Sequence, residues 1–336
     1  MAKAEYFMAL IRSYSEGDDE RFYAIALQLA AQEARQGHIK FAKELRDLID
    51  QARGRNRNLA AGQQVRPLPI IQPRGELVGL LNASYPKTRF VDMALDEVVR
   101  GKIERVLLEQ RMRLSLRDHG LSPLRKLLLI GPPGTGKTMT ASALAGELGL
   151  PLFTIQLDGL ITKYLGETAA KLRLIFDAIH ETRAVYFFDE FDALGGERTV
   201  RNEVGEIRRV LNSFLQFLES DESESLIVAA TNHPRLLDRA LFRRFDAVIE
   251  YPLPSHQVAE KVMRRQLALL NTTDVDWEKL SEATQGLSHA DLTRACQQSA
   301  KNAILEQRNY VGTVEILEAL EDRRRAHASG RQDGDN

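Results

Sequence analysis

Residues 127–138 read Leu127-Leu128-Leu129-Ile130-Gly131-Pro132-Pro133-Gly134-Thr135-Gly136-Lys137-Thr138, and the architecture predicted for the rest of the chain follows from them. An apolar run ends in a glycine-rich turn of the pattern G-x-x-x-x-G-K-[ST], and a helix-compatible segment follows from Met139 to Leu148. Glycines permit backbone angles that other residues resist, so successive N–H groups can converge on phosphate oxygens near the positive end of the helix dipole. The stretch therefore predicts a strand, a phosphate-binding loop (P-loop) and a helix in succession.

Two side chains of the loop supply the chemistry of a nucleotide site. Lys137 brings a mobile cation to the β- and γ-phosphates, and the Thr138 hydroxyl can ligate Mg²⁺. The alternative is an ordinary glycine turn, and it is the weaker interpretation because the flanking strand and helix patterns are both present. We therefore expect a nucleoside triphosphate to bind here. The predicted binding residues are Pro133, Gly134, Thr135, Gly136, Lys137, Thr138 and Met139.

Composition and charge narrow the class of protein. The chain has 336 residues, of which 43% are hydrophobic and 28% charged, and this length predicts two or three soluble domains. The formal net charge of -1 argues neither for nor against nucleic acid. The single cysteine, Cys296, excludes a disulfide framework, and no apolar run approaches the ~18–20 residues of a transmembrane helix. Met1–Leu10 lacks the pattern of a secretory signal, so we expect a cytoplasmic protein without membrane contact.

The first 84 residues are predicted to form a helical bundle and a linker. In residues 1–53, apolar side chains recur at helical spacing in three stretches, which indicates a small bundle of three amphipathic helices. The bundle can serve as an oligomerisation or spacer element, or as a recognition module for a substrate or partner. Residues 54–84 are rich in arginine, glycine and proline, which is typical of a linker. Its arginines can contact nucleic acid, although a solvated linker is the simpler interpretation.

Strands and helices alternate from residue 85 to residue 252, which predicts a parallel α/β sheet flanked by helices. After the P-loop helix, short apolar strands are expected at Leu152–Leu157, Ala184–Phe188, Leu226–Ala230 and Val248–Tyr251. Residues 253–325 read as helices only and are predicted to form a separate subdomain. Residues 326–336 are polar and are expected to be a disordered tail.

Polar residues follow two of the predicted strands. Asp189 is expected to hold Mg²⁺, directly or through water, and the adjacent Glu190 to polarise the attacking water as a general base. Asn232 follows the next strand, where its amide can position that water or contact the γ-phosphate, although a single Asn after a strand is also a common turn former. In open α/β sheets, ligands bind at the carboxyl ends of the strands, where all three residues fall.

These motifs together resemble those of AAA+ ATPases, and in particular the compact single-ring members of the AAA family, the katanin and spastin type. The resemblance covers roughly residues 90–322, and its segments are Gly131–Thr138, Phe187–Leu194, Ala229–Asn232, Leu237–Asp246 and Gly286–Leu292. It implies an α/β P-loop NTPase with a C-terminal helical lid that hydrolyses ATP with Mg²⁺. The small N-terminal bundle lies outside the resemblance.

The resemblance implies roles for residues beyond the P-loop. Asn232 matches sensor 1, and Arg243 and Arg244 match the arginine fingers that reach the γ-phosphate of a neighbouring subunit, a task that suits a permanently charged, forked side chain. The two arginines are adjacent, without the Pro-Gly insertion that many members carry. Arg239 is an alternative finger, and a solvated basic turn is the alternative for the pair.

Two further segments acquire roles in the same way. His289 and Ala290 replace the more usual Gly-Ala of the lid motif and are expected to lie against the base and ribose. Lys163, Tyr164 and Leu165 match the pore loop of the family, in which an exposed aromatic residue can press against a peptide irrespective of its sequence. Without the resemblance, Tyr164 would be interpreted as a helix-capping or core residue.

A site completed by a neighbour's arginine predicts a homo-oligomeric ring, a hexamer by the resemblance, that remodels, unfolds or translocates a protein substrate through a central pore. Two alternatives stay open: an ATP-gated assembly switch that acts on a partner without threading it, and a nucleic-acid motor or loader. No DNA-binding motif supports the second, so nucleic acid is not the expected partner. The sequence has no H-E-x-x-H motif, so any coupled proteolysis requires a separate protease or effector subunit.

Overall fold

The structure, a computed structural model, describes residues 72–160, 165–194, 204–237 and 239–332, together with Ala26 and Leu29. The chain divides into two compact units, Met1–Ile71 and Gln72–Asn336. The predicted N-terminal bundle lies, apart from those two residues, outside the described residues.

A six-stranded sheet organises the first part of the second unit, with the strand order β1-β3-β4-β5-β2-β6. The pairs among β2 to β6 are parallel, and β1 pairs antiparallel with β3. Residues 54–84 were expected to form a linker, and the last four of them are the edge strand β1. The strands are β1 (Leu81–Ser84), β2 (Lys126–Ile130), β3 (Leu152–Ile155), β4 (Val185–Phe188), β5 (Leu226–Thr231) and β6 (Ala247–Glu250).

The helices alternate with the strands and then continue without them, as the sequence predicts. Those that belong to the sheet subdomain are α1 (Glu97–Arg111), α2 (Arg113–Asp118), α3 (Lys137–Leu148), α4 (Leu157–Leu160), α5 (Leu165–Glu181), α6 (Val204–Ser220) and α7 (Arg239–Phe242). Those of the C-terminal helical subdomain are α8 (His256–Gln266), α9 (Trp277–Ala283), α10 (His289–Leu305) and α11 (Thr313–Gln332). Helix α11 therefore extends into the segment predicted to be a tail.

Helices cover both faces of the sheet, which explains why its central strands β2, β4 and β5 are apolar almost throughout. On one face, α1 and α3 share a core with the strands through residues such as Ile103 and Leu144. On the other face, Phe176 of α5 and Phe214 of α6 pack on Phe188 of β4, with ring centroids 6.4 Å and 5.1 Å away. This double cover holds the carboxyl ends of β2, β4 and β5 side by side.

The C-terminal helices have a core of their own, which contains Met263, Leu292 and Ile316. Helix α10 begins at His289 because Ser288 and Asp291 form a capping box, in which Ser288 Oγ accepts from the Asp291 N–H and Asp291 Oδ2 accepts from the Ser288 N–H. None of the helices in the described ranges is both long and apolar enough to cross a lipid bilayer.

Candidate nucleotide site

The P-loop connects β2 to α3 and is closely packed against two other segments. Gly131 has a φ of +148°, and a Cβ there would come within 2.3 Å of the Tyr251 carbonyl oxygen. Gly134 has a φ of +74°, and a Cβ there would lie 2.6 Å from Ser288 Oγ. Both positions therefore need glycine for its left-handed backbone and for its lack of a side chain.

Lys137 is folded into the loop that precedes it. Its Nζ donates to the carbonyl oxygens of Gly131 and Pro132 at 2.7 Å and 2.8 Å. Burial lowers the pKa of Lys137, and the nearby carboxylates of Asp189 and Asp192 oppose that shift. The ammonium group is thus held among polar oxygens at the place where the sequence predicts phosphate.

Asp189 lies immediately after β4, and the structure brings it to Thr138. Thr138 Oγ1 donates to Asp189 Oδ2 at 3.0 Å, and the Glu190 N–H donates to Asp189 Oδ1 at 3.0 Å. Both carboxylate oxygens are therefore oriented. A hydroxyl and a carboxylate at this separation are oxygen ligands of the kind that Mg²⁺ prefers, so these residues fit that ion.

Glu190 adopts a left-handed backbone with a φ of +50°, which is uncommon for a residue with a side chain. Such a conformation costs on the order of 1–2 kcal/mol, and it turns the chain sharply after β4. The Glu190 side chain is exposed. Packing does not account for this strain, because the side chain is exposed, and the carboxylate beside Asp189 is accessible to a water molecule.

The end of β5 lies between the P-loop strand and the strand of Asp189. Thr231 is paired in register with Ile130, so Asn232 follows at the level of the loop. Thr231 Oγ1 donates to Asp192 Oδ1 at 2.8 Å, and the Asn232 N–H reaches the same oxygen at 3.4 Å. No motif in the sequence predicts this role for Asp192. The signal that could have identified it is its place two residues after the Asp189-Glu190 pair.

The helical subdomain closes on the P-loop through the first turn of α10. The Ala290 N–H donates to the Gly134 carbonyl at 3.0 Å. His289 Nε2 lies 3.0 Å from the Ala94 carbonyl oxygen, and a carbonyl can only accept, so Nε2 carries the proton. Burial lowers the pKa of His289, and His289 Nδ1 is buried without a hydrogen-bond partner among the described residues.

A small cavity adjoins this contact, between α1, α8, α10 and the segment that follows β6. The residues that line it are Leu95, Asp96, Val99, Tyr251, Pro252, Leu253, Pro254, Val258 and His289. It is largely aliphatic and lies beside the P-loop, because Tyr251 contacts both. The predicted base contacts, His289 and Ala290, are thus placed next to the predicted phosphate contacts.

The predicted arginine fingers lie between α7 and β6. The side chains of Arg243 and Arg244 are both exposed. Arg244 forms an ion pair with Glu219 at the end of α6. The alternative finger, Arg239, is the first residue of α7.

The predicted pore residues are not placed by the structure. Lys163 and Tyr164 lie outside the described residues, and Leu165 begins α5.

A parallel sheet with a P-loop after β2, an acidic pair after β4 and an amide after the strand between them defines the class of P-loop nucleoside triphosphatases. The family model described as "ATPase family associated with various cellular activities (AAA)" matches residues 127–253. An AAA family ATPase of Sinorhizobium fredii, y4kL, is 35% identical over 330 residues, which are 98% of this chain and 97% of that protein. The chain belongs to the AAA family of ATPases, whose activity is ATP hydrolysis. The predicted family, fold class and enzyme class are thereby confirmed.

Two other relatives are longer proteins of which this chain matches a part. The proteasome-activating nucleotidase of Methanoculleus marisnigri is 35% identical over 254 residues, covering 73% of this chain and 61% of that protein. The ATP-dependent zinc metalloprotease FtsH 4 of Sphaerobacter thermophilus is 32% identical over 248 residues, covering 71% of this chain and 38% of that protein. Among solved structures, the FIGL-1 AAA domain superposes with a TM-score of 0.58 at 24% identity, covering 76% of this chain and 92% of that one, and it shows the fold alone.

Proposed function

We propose that this chain forms a ring, a hexamer, that hydrolyses ATP and uses the energy to remodel or unfold a protein substrate drawn through a central pore. The observation that carries the ATP site is the contact between Thr138 Oγ1 and Asp189 Oδ2 at 3.0 Å, because it joins the P-loop to the acidic end of β4. These residues lie 51 positions apart in sequence, so only the fold unites them.

The P-loop residues Pro133 to Met139 bind the triphosphate through backbone N–H groups and Lys137. Lys137 exchanges its hydrogen bonds to Gly131 and Pro132 for phosphate oxygens, since those carbonyls hold it beside the loop. Thr138 and Asp189 would hold Mg²⁺, and the ion would supply positive charge to balance that of the phosphates. His289 and Ala290 lie against the base and ribose.

Glu190 takes a proton from the attacking water, and Asn232 orients that water or the γ-phosphate. Asp192 keeps Asn232 in place, because it holds both the Asn232 N–H and the neighbouring Thr231 hydroxyl. The general base and the polar amide thus come from the ends of adjacent strands, β4 and β5.

Arg243 supplies the contact to the γ-phosphate of the neighbouring subunit. Arg244 forms an ion pair with Glu219 of its own subunit. We therefore propose that Arg244 stabilises the turn that carries Arg243 and does not itself contact the γ-phosphate. An exposed ion pair of this kind contributes only ~0–1 kcal/mol, so Arg244 can also exchange partners in a ring.

The protein substrate is proposed from the relatives' names and from the pore-loop pattern. One relative is named a proteasome-activating nucleotidase and another an ATP-dependent zinc metalloprotease, and both names concern the breakdown of proteins. The 336 residues contain no H-E-x-x-H motif. Lys163, Tyr164 and Leu165 would contact the substrate.

The test combines two variants with an unfolded protein and with DNA as added ligands. Glu190→Gln should bind MgATP and lower the hydrolysis rate at least ~100-fold, because it removes the general base. Tyr164→Ala should keep basal hydrolysis, lose stimulation by the unfolded protein and fail to unfold a folded reporter. The matched control is Tyr310→Ala, which alters a half-exposed tyrosine of the helical subdomain.

The outcomes separate the candidate functions. Unfolding of the reporter by Tyr164→Ala at the wild-type rate would contradict the pore mechanism and favour an ATP-gated switch. Stimulation of hydrolysis by DNA and not by unfolded protein would favour a nucleic-acid motor. If Glu190→Gln hydrolyses ATP as fast as the wild type, Glu190 is not the general base.

A further inference from the structure

Tyr251 connects the P-loop helix to the end of β6 through a buried hydrogen bond. Its side chain is 2% exposed, and its hydroxyl lies 2.6 Å from Thr140 Oγ1 of α3. Thr140 Oγ1 also lies 3.0 Å from the carbonyl oxygen of Gly136, which can only accept. Because a threonine has a single hydroxyl proton, Thr140 donates to Gly136 and Tyr251 donates to Thr140.

The backbone of Tyr251 contacts the other end of the P-loop. Its N–H donates to the Ile130 carbonyl at 2.7 Å, and its own carbonyl oxygen would be 2.3 Å from a Cβ at Gly131. One residue therefore contacts the loop where β2 ends and, through Thr140, where α3 begins. The position of Tyr251 and the shape of the loop depend on each other.

Tyr251 is also the last residue before the connection to the helical subdomain. Pro252, Leu253 and Pro254 follow it, and Ser255 caps α8 through the Val258 N–H. Each proline has a restricted φ, so this connection has little freedom to absorb a displacement of Tyr251. Tyr251 and His289 of α10 line the same small cavity, which places both sides of the subdomain boundary next to this residue.

We propose that Tyr251 is a positioning residue that couples the P-loop to the helical subdomain. Nucleotide in the P-loop determines the position of Tyr251 through Gly136 and Thr140. Tyr251 in turn determines where the connection Pro252–Pro254 begins, and this connection leads to the helical subdomain. Tyr251 itself does not touch the nucleotide. The inference rests on the proposed assignment of residues 131–138 as the phosphate site.

The phenol of Tyr251 keeps its donor role throughout the working pH range. Burial raises the pKa of Tyr251 well above its ordinary value of 10, so the hydroxyl stays protonated. Ionisation of Tyr251 therefore does not break its hydrogen bond to Thr140. Any change in that bond has to come from a change in the positions of the two residues.

The test uses Tyr251→Phe in the full-length protein, because this change removes the hydroxyl and leaves the ring. Binding of MgADP should weaken about 5-fold, the value expected for one buried hydrogen bond. Protection from hydrogen exchange that MgADP induces at residues 252–258 should fall by at least half. Thr140→Val should reproduce both effects, Thr140→Ser should retain wild-type behaviour, and the double variant should bind no more weakly than either single variant.

The matched control is Tyr186→Phe. Tyr186 is 1% exposed, and its hydroxyl donates to the Ala178 carbonyl at 2.7 Å, with the Thr182 carbonyl 3.1 Å away, at a distance from the P-loop in the sequence. Both Tyr→Phe variants should lower Tm by a similar amount, about 2–4 °C, for the loss of a buried hydrogen bond. Only Tyr251→Phe should alter MgADP binding and exchange at residues 252–258.

Three results would overturn the inference or its basis. Wild-type binding and exchange in Tyr251→Phe would exclude the coupling role. If Tyr186→Phe loses as much MgADP binding as Tyr251→Phe, the loss comes from lower stability of the whole protein and not from a specific role of Tyr251. If Lys137→Ala binds MgADP as tightly as the wild type, the proposed phosphate site is wrong, and the inference about Tyr251 is wrong with it.

Discussion

At the scale of single residues, the aspartates Asp189 and Asp192 accept hydrogen bonds from different parts of the site. Asp189 accepts from Thr138 and from the Glu190 N–H, so it belongs to the P-loop side of the site. Asp192 accepts from Thr231 and from the Asn232 N–H, so it belongs to the end of β5. The two carboxylates are three positions apart, and Asp189 contacts the first turn of α3 whereas Asp192 contacts the end of β5.

We expect Asp192→Asn to lower kcat about 10-fold with KM for ATP nearly unchanged. The substitution loses the charge of the acceptor and weakens its hydrogen bond to Thr231, which costs about 1–2 kcal/mol, and Asn232 then moves away from its working position. Steady-state ATP hydrolysis measures both constants. Asp274→Asn, at an exposed aspartate of the helical subdomain, is the control and should leave both unchanged.

His289 gives a prediction about pH. Its pKa is lowered by burial, so between that pKa and the ordinary value of 6.5 the unfolded chain binds a proton that the folded chain does not. The free energy of unfolding should therefore decrease as pH falls below about 6.5. In His289→Gln, whose amide can still donate to Ala94, this decrease should be smaller.

Denaturant unfolding of both proteins at pH 7.5, 6.5 and 5.5 measures the difference. Other titratable groups are common to the two proteins and cancel, including Asp96 and Tyr251, which also line the cavity. Parallel pH dependences would show that His289 is protonated as easily in the folded chain as in the unfolded one.

The sequence predicted the residues that belong to local motifs and missed those defined by long-range contacts. Lys137, Thr138 and Asp189 follow from patterns of adjacent residues. Thr140 and Tyr251 are 111 positions apart, and neither belongs to a motif, so only the folded chain shows that they bind each other. Asp192 lies within the motif segment Phe187–Leu194, but its partner Thr231 is 39 positions away, so the motif does not show their contact.

At the scale of elements, the P-loop and the first turn of α10 form one packed unit. The Ala290 N–H donates to Gly134, and the capping box of Ser288 and Asp291 fixes that turn. Any side chain at residue 134 would press against Ser288 Oγ. The close packing of the helical subdomain against the P-loop thus requires residue 134 to have no side chain.

Gly134→Ala should weaken MgATP binding at least ~10-fold, since it combines backbone strain with a steric conflict against α10. The control is Gly149→Ala at the end of α3, where φ is also positive, at +63°, but no atom lies within 4 Å of the added Cβ. Gly149→Ala should lower the free energy of unfolding by about 1 kcal/mol through strain alone and leave MgATP binding unchanged.

Equal losses of binding in the two glycine variants, measured by titration with MgATP, would mean that backbone strain and not the contact with α10 is responsible. We expect a loss of MgATP binding in Gly134→Ala alone, together with a larger loss of stability than in Gly149→Ala, because only residue 134 adds a steric conflict to the backbone strain.

The elements themselves were predictable to different degrees. The apolar runs of β2, β4 and β5 are buried on both faces, so their sequences carry a strong signal. β1 is a four-residue edge strand in which only Leu81 is buried, and such a strand has no periodic pattern to detect. For this reason its residues were assigned to a linker.

At the scale of the whole molecule, the proposed ring makes each active site a joint product of two subunits. Glu190 and the P-loop come from one subunit and Arg243 from its neighbour. The exposed position of Arg243 after α7 leaves it free to meet another subunit. Activity should therefore depend on protein concentration in the range where the ring assembles.

Mixing two inactive variants tests this arrangement. Arg243→Ala and Glu190→Gln should each hydrolyse ATP at least ~100-fold more slowly than the wild type. In a mixed ring, a subunit with intact Glu190 can adjoin one with intact Arg243, so an equal mixture should recover activity at about one site in four. A mixture no more active than the sum of its parts would place Arg243 outside the neighbour's site.

The antiparallel edge pair has a mechanical consequence if the chain works on a substrate under load, as proposed above. Leu81 pairs with Ile155, so the chain enters β1 and leaves β3 at the same end of the pair. Tension between the segments before residue 81 and after residue 155 would open the hydrogen bonds one at a time, whereas tension along the strands would load them together. Under tension of the first kind, we expect β1 to separate from β3 before the parallel strands β2 to β6 separate from one another, because β1 is at the edge of the sheet and pairs only with β3.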